Sequence, residues 1–193
     1  MALIKKNHCQ IVFSDKPISD SIKFAKKNNS YLLRQSTDPS ALIGYQEIGK
    51  ELNKELPEIT SIFIPVGSGS TLLGISKSLN PSVKIFAVQP ASNCPLSKNF
   101  DQNYQPETEN ITDAISVKYL PLKSQIISTI KNSGGTSLVI QNKDIIEAQN
   151  ELELKQIKTS LEGALAFAGL KKTIKNKIEI GSYPVVLLTG CQR

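Results

Sequence analysis

The residues best equipped for chemistry stand together in Gly67-Ser68-Gly69-Ser70-Thr71-Leu72-Leu73-Gly74. Glycines at 67 and 69 let a backbone turn tightly with its N–H groups facing inward. Those donors, the Ser68, Ser70 and Thr71 hydroxyls and the positive end of a following helix suit a phosphate dianion. A plain tight turn with Gly74 packing a helix onto a strand would have the same glycines, but the interleaved hydroxyls favour phosphate. A Walker loop ends in Gly-Lys-Ser/Thr, whereas Gly74 is followed by Ile75. A dinucleotide site needs an acidic residue at the end of the next strand, and that strand ends Ala87-Val88-Gln89-Pro90. Elsewhere the chemistry is thin. The single histidine, His8, neighbours Cys9, whose side chain should point the other way along a strand, so neither a Cys/His hydrolase nor a metal site is indicated. Asp113 is the best isolated acid and suits a turn cap as well as it suits catalysis.

The elements that must position the turn follow from period and punctuation. Short strands are expected at Gln10–Phe13, Tyr31–Arg34, Ser61–Val66, Lys84–Val88, Ser137–Ile140 and Pro184–Leu188. Helices are expected at Ser19–Asn28, with Ile22, Phe24 and Ala25 inward; from Asp38 and Pro39, as cap and first position, to near Pro57; and at Leu72–Leu79. Three more follow at Leu122–Asn132, at Asp144–Leu154 capped by Asn142, and at Ser160–Lys172. Gln89 to Asn110, rich in Pro, Asn, Ser and Gln, is a long loop. Strands and helices alternating through short connections imply parallel strands with crossover helices, hence an open α/β sheet wound on both faces. Ligands of such sheets bind at the carboxyl ends of the strands, where the glycine turn must lie. Ala2 to Lys6 resembles the last turn of a helix with nothing before it, which fits an upstream segment and a frayed N-terminal turn equally well.

Composition sets the outer bounds. The chain has 193 residues, 39% hydrophobic and 21% charged, enough to bury roughly two thirds of its unfolded surface without metal or disulfide staples. Cys9, Cys94 and Cys191 are odd in number and widely spaced, which fits a reducing cytoplasm, with Cys191 expected as a partly buried thiol. No apolar run is long enough for a membrane span, and the first residues lack a secretory signal. The net charge of +6 invites nucleic acid, but only Arg34 and Arg193 of the 23 basic residues are arginine, and the one concentration of lysine, at Lys171, Lys172, Lys175 and Lys177, is modest. Nucleic-acid binding is therefore not expected.

Pro65-Val66-Gly67-Ser68-Gly69-Ser70-Thr71-Leu72-Leu73-Gly74-Ile75 resembles the pyridoxal-phosphate cradle of the fold-type II enzymes, the tryptophan synthase β-like family that includes cysteine synthase, threonine synthase and threonine dehydratase. The match continues in order. Val83 to Pro90 resembles the family's next strand, which ends Val-Glu-Pro or Val-Gln-Pro. Ile111 to Val117 is similar to its Ala-Asp-Gly-Ile segment, Ser160 to Ala166 to its Glu-Pro-Ser-Gly-Ala helix start, and Val185 to Gly190 to its last strand. Tyr31 to Pro39 and the helix with Gly44-Tyr45 resemble the segment that leads into the cradle.

The resemblance implies pyridoxal 5'-phosphate as cofactor, with Gly67, Ser68, Gly69, Ser70 and Thr71 on its phosphate and the Thr189 hydroxyl against its pyridine nitrogen. A neutral hydroxyl there suits elimination and replacement over transamination. Glu162 and Ser160 would border the ring. It further implies an open, mostly parallel, doubly wound sheet of the tryptophan synthase β-like type lacking its N-terminal part, with residues 1–35 a remnant of the smaller domain and 36–193 the cofactor-phosphate domain. The family's Schiff-base lysine sits in a Ser-x-Lys-x-Arg-like segment near the N-terminus, followed by an Asn-containing loop, and neither is present; no residue is assigned a catalytic role. The implied function is a lyase or synthase acting by β-elimination or replacement on threonine, serine or an O-activated homologue, present as a C-terminal portion whose lysine comes from an N-terminal companion segment or subunit. The alternative is a non-catalytic module that binds a phosphorylated ligand or a subunit. Homo-oligomerisation would cover the apolar surface that a half-domain exposes.

Overall fold

The computed structural model describes residues 9–117 and 119–191, apart from the side chain of Asp113. Ala2 to Lys6 and His8 lie outside them. The chain divides into two compact units, Met1–Arg34 and Gln35–Arg193.

In the first unit the described residues form one helix, α1 (Pro17–Asn28). Ser14 starts it by accepting the Lys16 N–H and donating to Asp20, and Asn29 ends it in a left-handed conformation at φ 48°. The expected strands at Gln10–Phe13 and Tyr31–Arg34 do not form; both runs are irregular. A strand exists only by pairing, and apolar alternation cannot supply a neighbour. Nor does α1 bury its apolar face: Phe24, expected inward, is 57% exposed, as are most of Val12, Phe13 and Tyr31.

The second unit is a four-stranded parallel sheet, β1 (Ser61–Pro65), β2 (Lys84–Pro90), β3 (Ser137–Ile140) and β4 (Pro184–Val186), in the order β3-β2-β1-β4. Helices α2 (Pro39–Glu55), α3 (Ser70–Ser76), α4 (Lys123–Asn132), α5 (Asn142–Leu154) and α6 (Leu161–Lys175) cover it on both faces. Alternation along the strands divides the core in two. Ile62, Ile64, Ile85 and Ala87 pack with Leu42, Leu72, Ile126 and Ile130 of α2, α3 and α4. Phe63, Phe86, Val88 and Leu138 pack with Ile145, Ala148, Ala164 and Leu165 of α5 and α6. Phe63 and Phe86, adjacent in the β1–β2 register, stack with centroids 4.6 Å apart, worth about 1 kcal/mol beyond burial.

The cap expected at α2 is present: Asp38 accepts the Ser40 N–H at 2.9 Å, with Pro39 at the first position. Three other expectations are corrected. Helix α3 starts at Ser70 and not at Leu72, so the glycine turn runs straight into it. Asn142 does not cap α5; it is the first helical residue, and its N–H is taken at 2.9 Å by the Glu107 carboxylate from 35 residues upstream. Gly74 packs α3 against Leu42 and Tyr45 of α2, helix on helix and not helix on strand.

The long loop after β2 is fastened across the outer edge of β3. Asp101 accepts the Val139 N–H at 2.9 Å and pairs with Lys172 at 2.6 Å, and Lys172 donates to the Val139 carbonyl at 2.8 Å. Tyr104 packs beside Ala91, Cys94 and Val139, its phenol held above its usual range by its hydrogen bond with Cys94, then by burial and the Asp101 charge. The Asp101 and Lys172 side chains are 11% and 21% exposed, against 40% and 43% for Glu151 and Lys171, which also pair at 2.6 Å. Asp101→Ala strands a largely buried ammonium and a strand N–H and is expected to cost about 3 kcal/mol in urea unfolding, whereas Glu151→Ala changes stability by less than about 1 kcal/mol.

Candidate functional site

Strand β1 ends at Pro65, and the Val66 N–H closes the ladder on the Val88 carbonyl at 2.9 Å. Gly67 and Ser68 then cross the carboxyl end of the sheet, and Gly69 turns the chain into α3. Gly69 has φ +87°, a conformation L side chains resist, and any Cβ there would run into the Ile126 side chain of α4. The N–H groups of Gly67, Ser68 and Gly69 donate to no backbone carbonyl among the described residues, and the Ser70 N–H makes only a long 3.5 Å contact with Ser68 Oγ. Adjacent donors left open beside glycine and hydroxyl residues form a concave nest for an anion.

This nest is the floor of a cavity of about 250 Å³ that Gly67, Ser68, Gly69 and Thr71 line together with Gln35, Ala114, Ile115, Glu162 and Thr189. The roof is the short 3-10 turn Asp113–Ile115: a Cβ on Gly67 would lie 3.1 Å from the Ile115 Cα. The far wall is built where α6 begins. Ser160 caps that helix by accepting the Gly163 N–H, and the Gly190 carbonyl accepts both the Thr159 hydroxyl at 3.0 Å and the Ser160 N–H at 3.1 Å. These bonds hold Thr189 next to Glu162 of the first turn of α6.

Of the residues the sequence singled out, Gly67, Ser68, Gly69, Thr71 and Thr189 thus border one cavity. Ser70 adjoins it differently. Its hydroxyl is buried, donates to the Gln35 carbonyl at 3.2 Å and lies 3.2 Å from Ser68 Oγ. Ser160 serves as a helix cap. Cys191 is exposed and not the partly buried thiol expected, and Cys94 is buried. No lysine is among the described residues lining the cavity. Nor does any described group of three or more His, Cys, Asp or Glu side chains stand ready for a metal ion. Lysines gather instead at a separate hollow of about 490 Å³, where Lys171 and Lys172 are committed to Glu151 and Asp101 and where Asp144 and Glu147 also face in. Motif spacing did not point to Gln35 or Gln89, both of which act through backbone groups of the site or its neighbours.

A family model described as "Pyridoxal-phosphate dependent enzyme" matches residues 2–190. The L-threonine ammonia-lyase of Thermotoga maritima is 24% identical over 183 residues, covering 91% of this chain and 44% of that protein. The serine racemase of Bos taurus is 28% identical over 119 residues, 56% of this chain and 36% of that protein. Among solved structures, the processed form of threonine deaminase isoform 2 from Solanum lycopersicum superposes with a TM-score of 0.78 at 18% identity, over 95% of this chain and 53% of that one. The fold is the mostly parallel, open α/β sheet of the tryptophan synthase β-like type. The chain spans about half or less of the length of these curated relatives.

Two glycines with positive φ separate strain from crowding. Gly134 has φ +70° with open space around it, so Gly134→Ala should cost about 1 kcal/mol. Gly69→Ala adds the collision with Ile126 and should cost about 2 kcal/mol more in denaturant unfolding.

Proposed function

The chain belongs to the pyridoxal-phosphate dependent enzyme family, and on that footing we propose that it holds the cofactor's phosphate in the nest formed by Gly67, Ser68, Gly69, Ser70 and Thr71. The observation that carries this is the row of amide donors without backbone partners on the cavity floor. Their geometry fits the group: open N–H donors and the Ser68 and Thr71 hydroxyls are what a dianion requires, and the Glu162 carboxylate stands with Thr189 on the side where α6 begins.

In this reading residues 36–193 are the cofactor-phosphate domain and residues 1–35 part of a smaller one. When bound, pyridoxal phosphate supplies the electron withdrawal that lets an amino acid lose or exchange its β-substituent. The chain's own residues anchor and orient it. The nest would hold the phosphate, Ile115 and Ala114 would lie over it, and Thr189 would offer an uncharged hydroxyl to the pyridine nitrogen. The substrate class is a β-hydroxy or O-activated amino acid such as threonine or serine, as in the names of the relatives. In this reading the lysine that carries the cofactor covalently comes from a companion segment or a subunit, in keeping with a cavity that no lysine lines among the described residues. That same observation favours one second reading, a non-catalytic module that binds a phosphorylated ligand.

Pyridoxal phosphate and inorganic phosphate should each raise the melting temperature of the purified chain, a ligand at a hundred times its Kd adding about 2.7 kcal/mol. Gly69→Asp should abolish both effects. No stabilisation by either ligand at millimolar concentration refutes the cradle. Borohydride treatment with the cofactor, followed by peptide mapping, tests the lysine: a pyridoxyl label at one unique lysine would show that the chain supplies it.

A further inference from the structure

We propose that Gln89 is the positioning residue of the phosphate nest, acting through the peptide that joins Val66 to Gly67. This rests on the reading that the nest holds a phosphate. Gln89 is fully buried near the end of β2, where every other residue after Lys84 is apolar. A primary amide survives there only if its polar atoms are bonded. Nε2 donates to the Val66 carbonyl at 3.0 Å, and Oε1 accepts the N–H groups of Leu96 at 2.9 Å and Ser97 at 3.0 Å. All three partners are backbone atoms at the carboxyl end of the sheet.

The Val66–Gly67 peptide is planar and trans, so its carbonyl and its N–H point in opposite directions. Drawing the Val66 carbonyl toward Gln89 aims the Gly67 N–H the other way, toward the cavity that Gly67 lines. The Val66 N–H, in the preceding peptide, is fixed on the Val88 carbonyl, so the peptide that opens the nest starts from an anchored Cα and is held by its own carbonyl. Released, this peptide can rotate and present a carbonyl oxygen where an anion expects a donor. The other half of the amide serves the roof. Leu96 and Ser97 belong to the loop whose Asn93 side chain donates to the Val117 carbonyl at 3.1 Å and to Ser116 Oγ at 2.9 Å, just past the roof turn. One side chain therefore ties the first floor donor to the segment that carries Ala114 and Ile115.

The test compares pyridoxine 5'-phosphate with pyridoxine, which lack the aldehyde and so form no adducts with surface lysines. The readout is the ratio of their dissociation constants in the folded protein, which a loss of stability alone leaves unchanged. Gln89→Met removes the donor and the acceptor and should lower the preference for the phosphorylated ligand about tenfold. Gln89→Glu keeps the acceptor and lacks the donor while ionised. Buried against a carbonyl, its carboxyl regains a donor on protonation, so its preference relative to wild type should recover as pH falls from about 8 to about 5. Leu152→Ala, in α5, serves as the destabilised control with an unchanged ratio. A wild-type ratio in Gln89→Met, or in Gln89→Glu at every pH if the methionine variant does not fold, overturns the role of Gln89. No preference in the wild-type protein would instead overturn the phosphate reading itself.

Discussion

The site depends on the parallel register of β1 and β2. Pro65 stands opposite Val88, so the residues that follow them, Val66 and Gln89, arrive side by side at the same end of the sheet. Parallel strands put all their carboxyl ends on one rim, and every connection leaving that rim can contribute to a single cavity. The glycine turn after β1, the loop after β2 and the segment after β4 do so here. Stacked Phe63 and Phe86, on the face opposite Ile62 and Ile64, lock the register from within the core. A slip of one residue would send one of those aromatic rings to the other face, break the stack and separate Gln89 from the Val66 carbonyl.

The cavity's donors come mostly from backbone, and backbone donors are only as well aimed as the chain that carries them. The surrounding side chains are therefore largely devoted to holding main chain. Gln89 takes the Val66 carbonyl, Ser70 the Gln35 carbonyl, and Thr159 the Gly190 carbonyl. Each bond is made by a polar group that would be costly to bury alone, and each fixes one segment of the cavity wall.

Local chemistry was legible where it is self-contained. Asp38 and Pro39 announce α2 because cap and first turn lie within three residues, and Ser137–Ile140 reads as a strand because a short run with β-branched residues follows a double-glycine turn. The glycine and hydroxyl turn was equally plain, and Thr189 could be placed through the family pattern. What failed needed distant partners. Gln10–Phe13 and Tyr31–Arg34 have strand composition without strand neighbours. The start of α5 is satisfied by Glu107 and not by the nearby asparagine. Gln89 read as the polar end of a strand, because its role becomes visible only once the Val66 carbonyl and the Leu96 and Ser97 amides converge on it.

The fastening of Asp101 and Lys172 onto β3 gives the sheet a direction. The outward N–H and the outward carbonyl of Val139 are both occupied, which obstructs a further strand at the middle of the β3 edge. Strand β4, three residues long and only half covered, carries no such seal among the described residues. Growth of this sheet by any added polypeptide is thus polarised toward the flank from which the chain runs on to Thr189, and a newcomer would build itself against the cavity that Thr189 lines and not away from it.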